Sequence, residues 1–173
     1  MLKLIDANPI GSDASWTIEC PVPGVVIINV TVGRSLTPVP LHWRAGTWEK
    51  PPLDVFLNEE GQLVGMQFVI QDEHLELGFG EMPVKAKTGA PRFDVSFWPT
   101  DRYKDETISV SAKRVPGGEL VLHIGDKEPI RQSYETSPGF VLSFGRSDQL
   151  MRIQIGPLTS DDWADIDSFS LGT

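Results

Sequence analysis

Asp72-Glu73-His74-Leu75-Glu76-Leu77 is the stretch whose residue types come closest to a reactive centre. On an extended strand Asp72, His74 and Glu76 share one side, while Leu75 and Leu77 fall on the other. Two carboxylates and an imidazole at that spacing can ligate a divalent cation or exchange protons with a substrate. The same pattern describes the solvated face of a half-buried strand, with acids that discourage edge pairing. His42 and His123 stand in other segments, at no spacing that completes a ligand set. The stretch therefore reads first as a solvated strand face and second as a metal or acid–base centre. No cofactor is expected.

Two aromatic and basic stretches point to binding instead. One is His42-Trp43-Arg44 with Trp48, inside an irregular run from Leu41 that a Pro51-Pro52 pair closes. The other is Phe97-Trp98-Pro-Thr-Asp101-Arg102-Tyr103-Lys104-Asp105. Trp, Tyr and Arg are over-represented at interface hot spots because they bury large area with few rotamers lost. The partner-binding candidates are thus Trp43, Arg44, Trp98, Asp101, Arg102 and Tyr103, together with the Asp72, His74 and Glu76 face.

Nucleophilic chemistry finds no support. The chain has no Gly-x-Ser-x-Gly elbow, no phosphate-cradling glycine loop and no His-Glu-x-x-His. Gly33-Arg-Ser35 and Gly145-Arg-Ser147 follow strands without the glycines and helix that phosphate binding uses, and read as turns. Cys20 is the single cysteine, which excludes an intrachain disulfide. It alternates with Trp16 and Ile18, which predicts a small buried hydrophobe.

Twenty-four acids against fifteen Lys and Arg give a formal charge of −9, divided nearly evenly along the chain. That balance disfavours nucleic acid, whose phosphates need cations to displace their counterions. It suits a basic protein partner. No apolar run approaches the roughly 20 residues that a membrane-spanning helix needs, and no secretion signal is visible before Asp6. A cytoplasmic protein is the expectation.

The elements that must position these residues are strands. Fourteen Pro and sixteen Gly favour many short strands and turns over long helices. Leu53–Ile70 alternates, breaks at Glu59-Glu60-Gly61 and resumes, as a β-hairpin does. Phe140–Ile155 repeats that order around Gly145–Asp148. Val25–Val32 is rich in β-branched residues and predicts a strand buried on both faces. Residues 78–92 form the best linker candidate, and Phe93–Phe97 the next alternating strand. Thr159 and Asp162 mark the start of one short helix over 160–168.

Landmarks recur in order along the chain. Trp16/Ile18/Cys20 matches Ile108/Val110/Ala112, and Val22-Pro-Gly24 matches Val115-Pro-Gly117. Trp48-Glu49 with Pro52 matches Tyr134-Glu135 with Pro138, and Gln62-Leu63 matches Gln149-Leu150. The reading is a mainly β protein of two related halves, residues 1–90 and 91–173, packed as one domain. Each half has about four to five antiparallel strands, and the two form a sandwich or strongly curved sheet. Trp48 and Tyr134 are then expected as core plugs of the two halves. Function is expected to be binding: an acidic module without catalysis, for instance an immunity-type inhibitor that masks a basic bacterial toxin. The alternatives are a metal-dependent protein using Asp72, His74 and Glu76, and a self-associating structural subunit.

Overall fold

The computed structural model describes residues 1–33, 39–47, 50–70, 75–76 and 85–168, with Lys50, Leu75, Glu76 and Ser168 described by backbone alone. Asp72, His74 and Trp48 therefore lie outside the described residues. The chain builds two large sheets. The six-stranded sheet runs in the order β10 (Tyr103–Glu106), β4 (Leu41–Thr47), β5 (Lys50–Leu57), β6 (Leu63–Ile70), β3 (Val25–Val32), β2 (Ala14–Val22). The seven-stranded sheet runs β7 (Leu75–Glu76), β11 (Val110–Arg114), β12 (Leu120–Ile124), β15 (Leu150–Ile155), β14 (Phe140–Phe144), β13 (Gln132–Ser137), β8 (Lys87–Thr88). A third, two-stranded sheet pairs β1 (Leu4–Asn8) with β9 (Ala90–Phe93). One helix, α1 (Ser160–Ser168), follows the last strand.

The expectation of a mainly β, largely antiparallel chain with one short C-terminal helix holds. Alternation builds the core. In β4 Leu41, Trp43 and Ala45 are buried, while His42 and Arg44 between them are half-buried. Successive strand residues point to opposite faces, so one face of each strand supplies the interior. Val26, Ile28, Val55 and Phe68 of the six-stranded sheet join one apolar cluster with Leu122, Phe140, Leu142 and Ile153 of the other, and Leu4 and Phe93 complete it. The helix start follows its sequence signal: Thr159 Oγ1 accepts from Asp162 N at 3.1 Å, and Asp162 Oδ2 accepts from Thr159 N at 2.8 Å. Such a reciprocal cap stabilises a helix by about 1 kcal/mol.

Five strands run in the same order in both sheets, β4-β5-β6-β3-β2 and β13-β14-β15-β12-β11. Ladder partners equate Trp43 with Tyr134. Trp43 faces Val55, which faces Met66; Tyr134 faces Leu142, which faces Ile153. Trp48, which the sequence matches to Tyr134, lies outside the described residues. The sheets also exchange strands. β10 lies parallel to β4, whereas β8 lies parallel to β13 and β7 to β11.

Four local expectations are overturned. Val25–Val32 is buried on one face only, because its other face, with Ile27, Asn29 and Thr31, forms the outside of the six-stranded sheet. The strand buried at every position is β14. Residues 87–88 and 90–92 of the expected linker lie in strands, and the strand expected over 93–97 stops at Phe93 because Asp94 Oδ1 accepts from Ser96 N and turns the chain. Cys20 is exposed: the β2–β3 register shifts between Glu19 and Val22, so period-2 alternation ends before it. Its Sγ lies 3.6 Å from Asp165 O, and local desolvation at that contact, with the Asp165 charge beside it, pushes its thiol pKa up.

Candidate functional site

The run Leu41–Pro52, irregular by sequence, is two strands. Gly46 makes this possible. It sits at φ +124°, and a Cβ there would lie 2.0 Å from Pro52 Cδ, so only glycine lets the Pro52 ring pack against the β4–β5 bend. The β5–β6 ladder begins at Leu53–Phe68, so neither Pro51 nor Pro52 has to donate to β6. With β4 regular, His42 and Arg44 point outward beside the outward residues of β5 and β10.

They meet a cluster there. Tyr103 stands in register with His42 and stacks on it, with ring centroids 4.6 Å apart and planes 27° from parallel. The Arg44 guanidinium lies 4.6 Å from the Tyr103 ring centre and forks onto Asp105, with Nε–Oδ1 at 2.6 Å and Nη2–Oδ2 at 2.7 Å. His42 Nδ1 lies 3.0 Å from Asp54 Oδ2, and Phe56 meets the His42 ring edge-on at 5.1 Å. Tyr103 is 41% exposed.

The cluster continues as a polar row. Asp105, Arg44, Asp54, Gln67 and Asn29 are successive cross-strand neighbours over five strands. Gln67 Nε2 donates to Asn29 Oδ1 at 2.9 Å, and Asn29 Nδ2 donates to Glu19 Oε1 at 3.2 Å. Each link is modest, since part-exposed ion pairs contribute up to about 1 kcal/mol. Together they fix rotamers across the face before any partner arrives. Electrostatics show the same order. Burial raises the Asp54 pKa above 3.8 against the opposing hydrogen bond from His42, and the Asp105 fork pushes Arg44 further up.

The residues singled out by sequence divide. Arg44 and Tyr103 belong to the cluster. Trp43 does not: it is 0% exposed, on the inward side of the same strand, and no partner reaches it. Trp98 and Arg102 are occupied in shaping the turn that feeds β10. Trp98 Nε1 donates to Arg102 O at 3.0 Å, and Lys104 Nζ lies 5.6 Å from the Trp98 ring centre. Arg102, at φ 70°, donates to Val39 O at 2.7 Å and Pro40 O at 3.3 Å, and meets Glu59 at 3.3 Å. Asp101 is exposed and its Oδ1 accepts from Tyr103 N at 3.3 Å. Asp72 and His74 lie outside the described residues, and Glu76 is described only as a backbone partner of Lys113.

His42 and Asp105 lay inside the two stretches singled out for binding without being named as candidates themselves, and Asp54 and Phe56 of β5 did not stand out in the sequence. The usable signal was Leu41-His-Trp-Arg-Ala, whose alternation places 42 and 44 opposite the buried Trp43. The arrangement can bind. It offers an ordered aromatic surface, a fixed guanidinium–carboxylate fork and a His42 Nε2 that makes no hydrogen bond among the described residues. No known protein family matches the chain, and comparison with curated proteins yields no match.

Proposed function

We propose that the chain is a cytoplasmic binding module whose outer face around Tyr103 receives a basic protein partner, without a catalytic role. The concrete form is an immunity-type inhibitor that covers a basic toxin surface. One observation carries the reading: the hot-spot residue types Tyr103 and Arg44 are held with His42, Asp54 and Asp105 in an ordered, part-exposed cluster on a sheet edge. The apolar core does not need their polar atoms. The charge of −9 favours a cationic partner and speeds its encounter.

A photoreactive residue substituted at position 103 tests this in extracts of the native source. A discrete adduct with one basic protein, absent when the photoreactive residue replaces the exposed Ile10, supports the reading. The purified adduct partner must then bind the wild-type chain and lose affinity for Tyr103→Ala. No adduct at position 103, or the same adducts from both positions, contradicts it.

A further inference from the structure

The nine residues of β2 close one edge of the six-stranded sheet. The other outer strands of the two large sheets are short: β10 has four residues, and β7 and β8 have two described residues each. Short edge strands discourage pairing with another chain, as do lysine and proline placed on an edge. Before Pro21, β2 has none of these protections, and Ala14-Ser-Trp-Thr-Ile18 is uncharged and alternates regularly.

The β2–β3 ladder fixes which backbone groups this edge presents. Asp13 and Gly33 continue its register, and Gly33 N donates to Asp13 O at 2.7 Å. Antiparallel pairs alternate between bonded and non-bonded. Ser15, Thr17 and Glu19 therefore bond to β3, while Ala14, Trp16 and Ile18 turn their N–H and C=O groups away from it. Those outward groups make no hydrogen bond among the described residues. Trp16 and Ile18 pack against the core but stay half-buried, because nothing among the described strands flanks them on the open side. An added strand would pair the free backbone groups and complete that burial.

We propose that this edge pairs antiparallel with the same edge of a second copy, about a two-fold axis at Thr17. Thr17 then meets Thr17 of the second copy, Trp16 meets Ile18, and Ser15 meets Glu19. Hydroxyl pairs and aromatic–β-branched pairs of this kind stabilise antiparallel ladders. Moving the axis to Trp16 would set Glu19 against Asp13 twice, and like charges directly opposite oppose pairing. A copy suits the edge better than a cationic segment does. The only charge on β2 is Glu19, and its Oε1 already accepts from Asn29 Nδ2. The contact is isologous and closes at two copies. Since β2 and β10 are opposite edges of one sheet, the pairing leaves the Tyr103 face free and does not depend on the partner assigned to that face.

Sedimentation equilibrium of the full chain tests this, carried to about 1 mM, where even a weak pairing populates the dimer. A monomer–dimer equilibrium is expected for the wild-type chain. Thr17→Asp sets two carboxylates together at the axis and should weaken the dimer roughly fivefold. Thr17→Asn, uncharged and equally poor in strand propensity, should retain it. Disulfide capture reads the register, in a Cys20→Ser background with diamide as oxidant. Thr17→Cys faces its copy at a non-bonded pair about 4.5 Å across and should be captured as the dimer. Ser15→Cys, on the same exposed face but about 14 Å from its copy, should not be. A wild-type chain that stays monomeric overturns the proposal. So does a dimer that is indifferent to Thr17→Asp or is captured equally at both positions. A monomeric chain that loses partner binding on Thr17→Asp also overturns it and gives this edge to the partner.

Discussion

Tyr103 lies on His42 with their ring centroids 4.6 Å apart, although 61 residues of chain separate them. The parallel pairing of β10 with β4 produces the contact, because it sets Tyr103 beside His42 and Asp105 beside Arg44. The candidate face therefore depends on a four-residue edge strand. What holds that strand can be tested by substitution.

Arg102 is the clasp. Its side chain donates to Val39 O and Pro40 O, tying the turn before β10 to the residues that enter β4. Arg102→Ala should destabilise the chain by about 1–2 kcal/mol in urea unfolding, the size of charge-assisted bonds to backbone. Arg102→Lys should recover less than half, since an ammonium lacks the planar fork. Equal stability of the Arg102→Lys and wild-type proteins would show that the fork is dispensable.

Trp43 belongs to the interior. Trp43→Ala should cost about 3–5 kcal/mol, as large-to-small changes at buried aromatics do. Trp43→Phe should cost less than about 2 kcal/mol, because the buried indole Nε1 has no partner to lose. Urea midpoints for the pair check this, and similar losses in both would contradict the unpaired indole.

Gly61 anchors the β5–β6 turn. At φ +79° a Cβ would lie 2.0 Å from Phe93 O, whereas Gly24, at φ +83°, has nothing within 4 Å. Gly24→Ala should cost about 1 kcal/mol for conformation alone, and Gly61→Ala at least about 2 kcal/mol. Thermal midpoints that fall equally would show that the turn can move off β9.

Asp54 should leave a signature in pH. Its folded pKa is raised above 3.8, so its stabilising contribution is fully present below pH 3.8 and is lost as pH rises through the folded value. Asp6 and Asp94 shift the other way; their contributions are present above pH 3.8 and lost as pH falls through their depressed values. Wild-type stability minus that of Asp54→Asn should therefore decline on raising the pH from about 3 to about 5.5, a range below the ordinary histidine value. A difference that stays constant, or grows, contradicts the burial of Asp54.

Periodicity made much of the fold legible. The two hairpins and the capped helix follow from alternation, turn residues and the Thr159–Asp162 pair. What it could not supply is pairing between distant segments. β10 beside β4 and β1 beside β9 are set by tertiary packing, and the four-residue β10 carries too little pattern to announce itself. Trp43 shows the limit at the site. A tryptophan next to an arginine looks like a hot spot, yet adjacent strand residues face opposite ways, and only Arg44 faces outward. Register shifts explain Cys20 in the same manner, since one irregular step in β2 ended the alternation that had placed it inside.

The most direct measurement is calorimetric titration of the purified partner against the wild-type chain and Tyr103→Ala, with unfolding curves confirming that both are folded. A loss of at least about thirtyfold in affinity is expected, the threshold of a hot-spot residue. Near-equal stability is expected with it, as for a part-exposed side chain on an edge strand. Unchanged affinity in a folded Tyr103→Ala protein would contradict the role proposed for Tyr103.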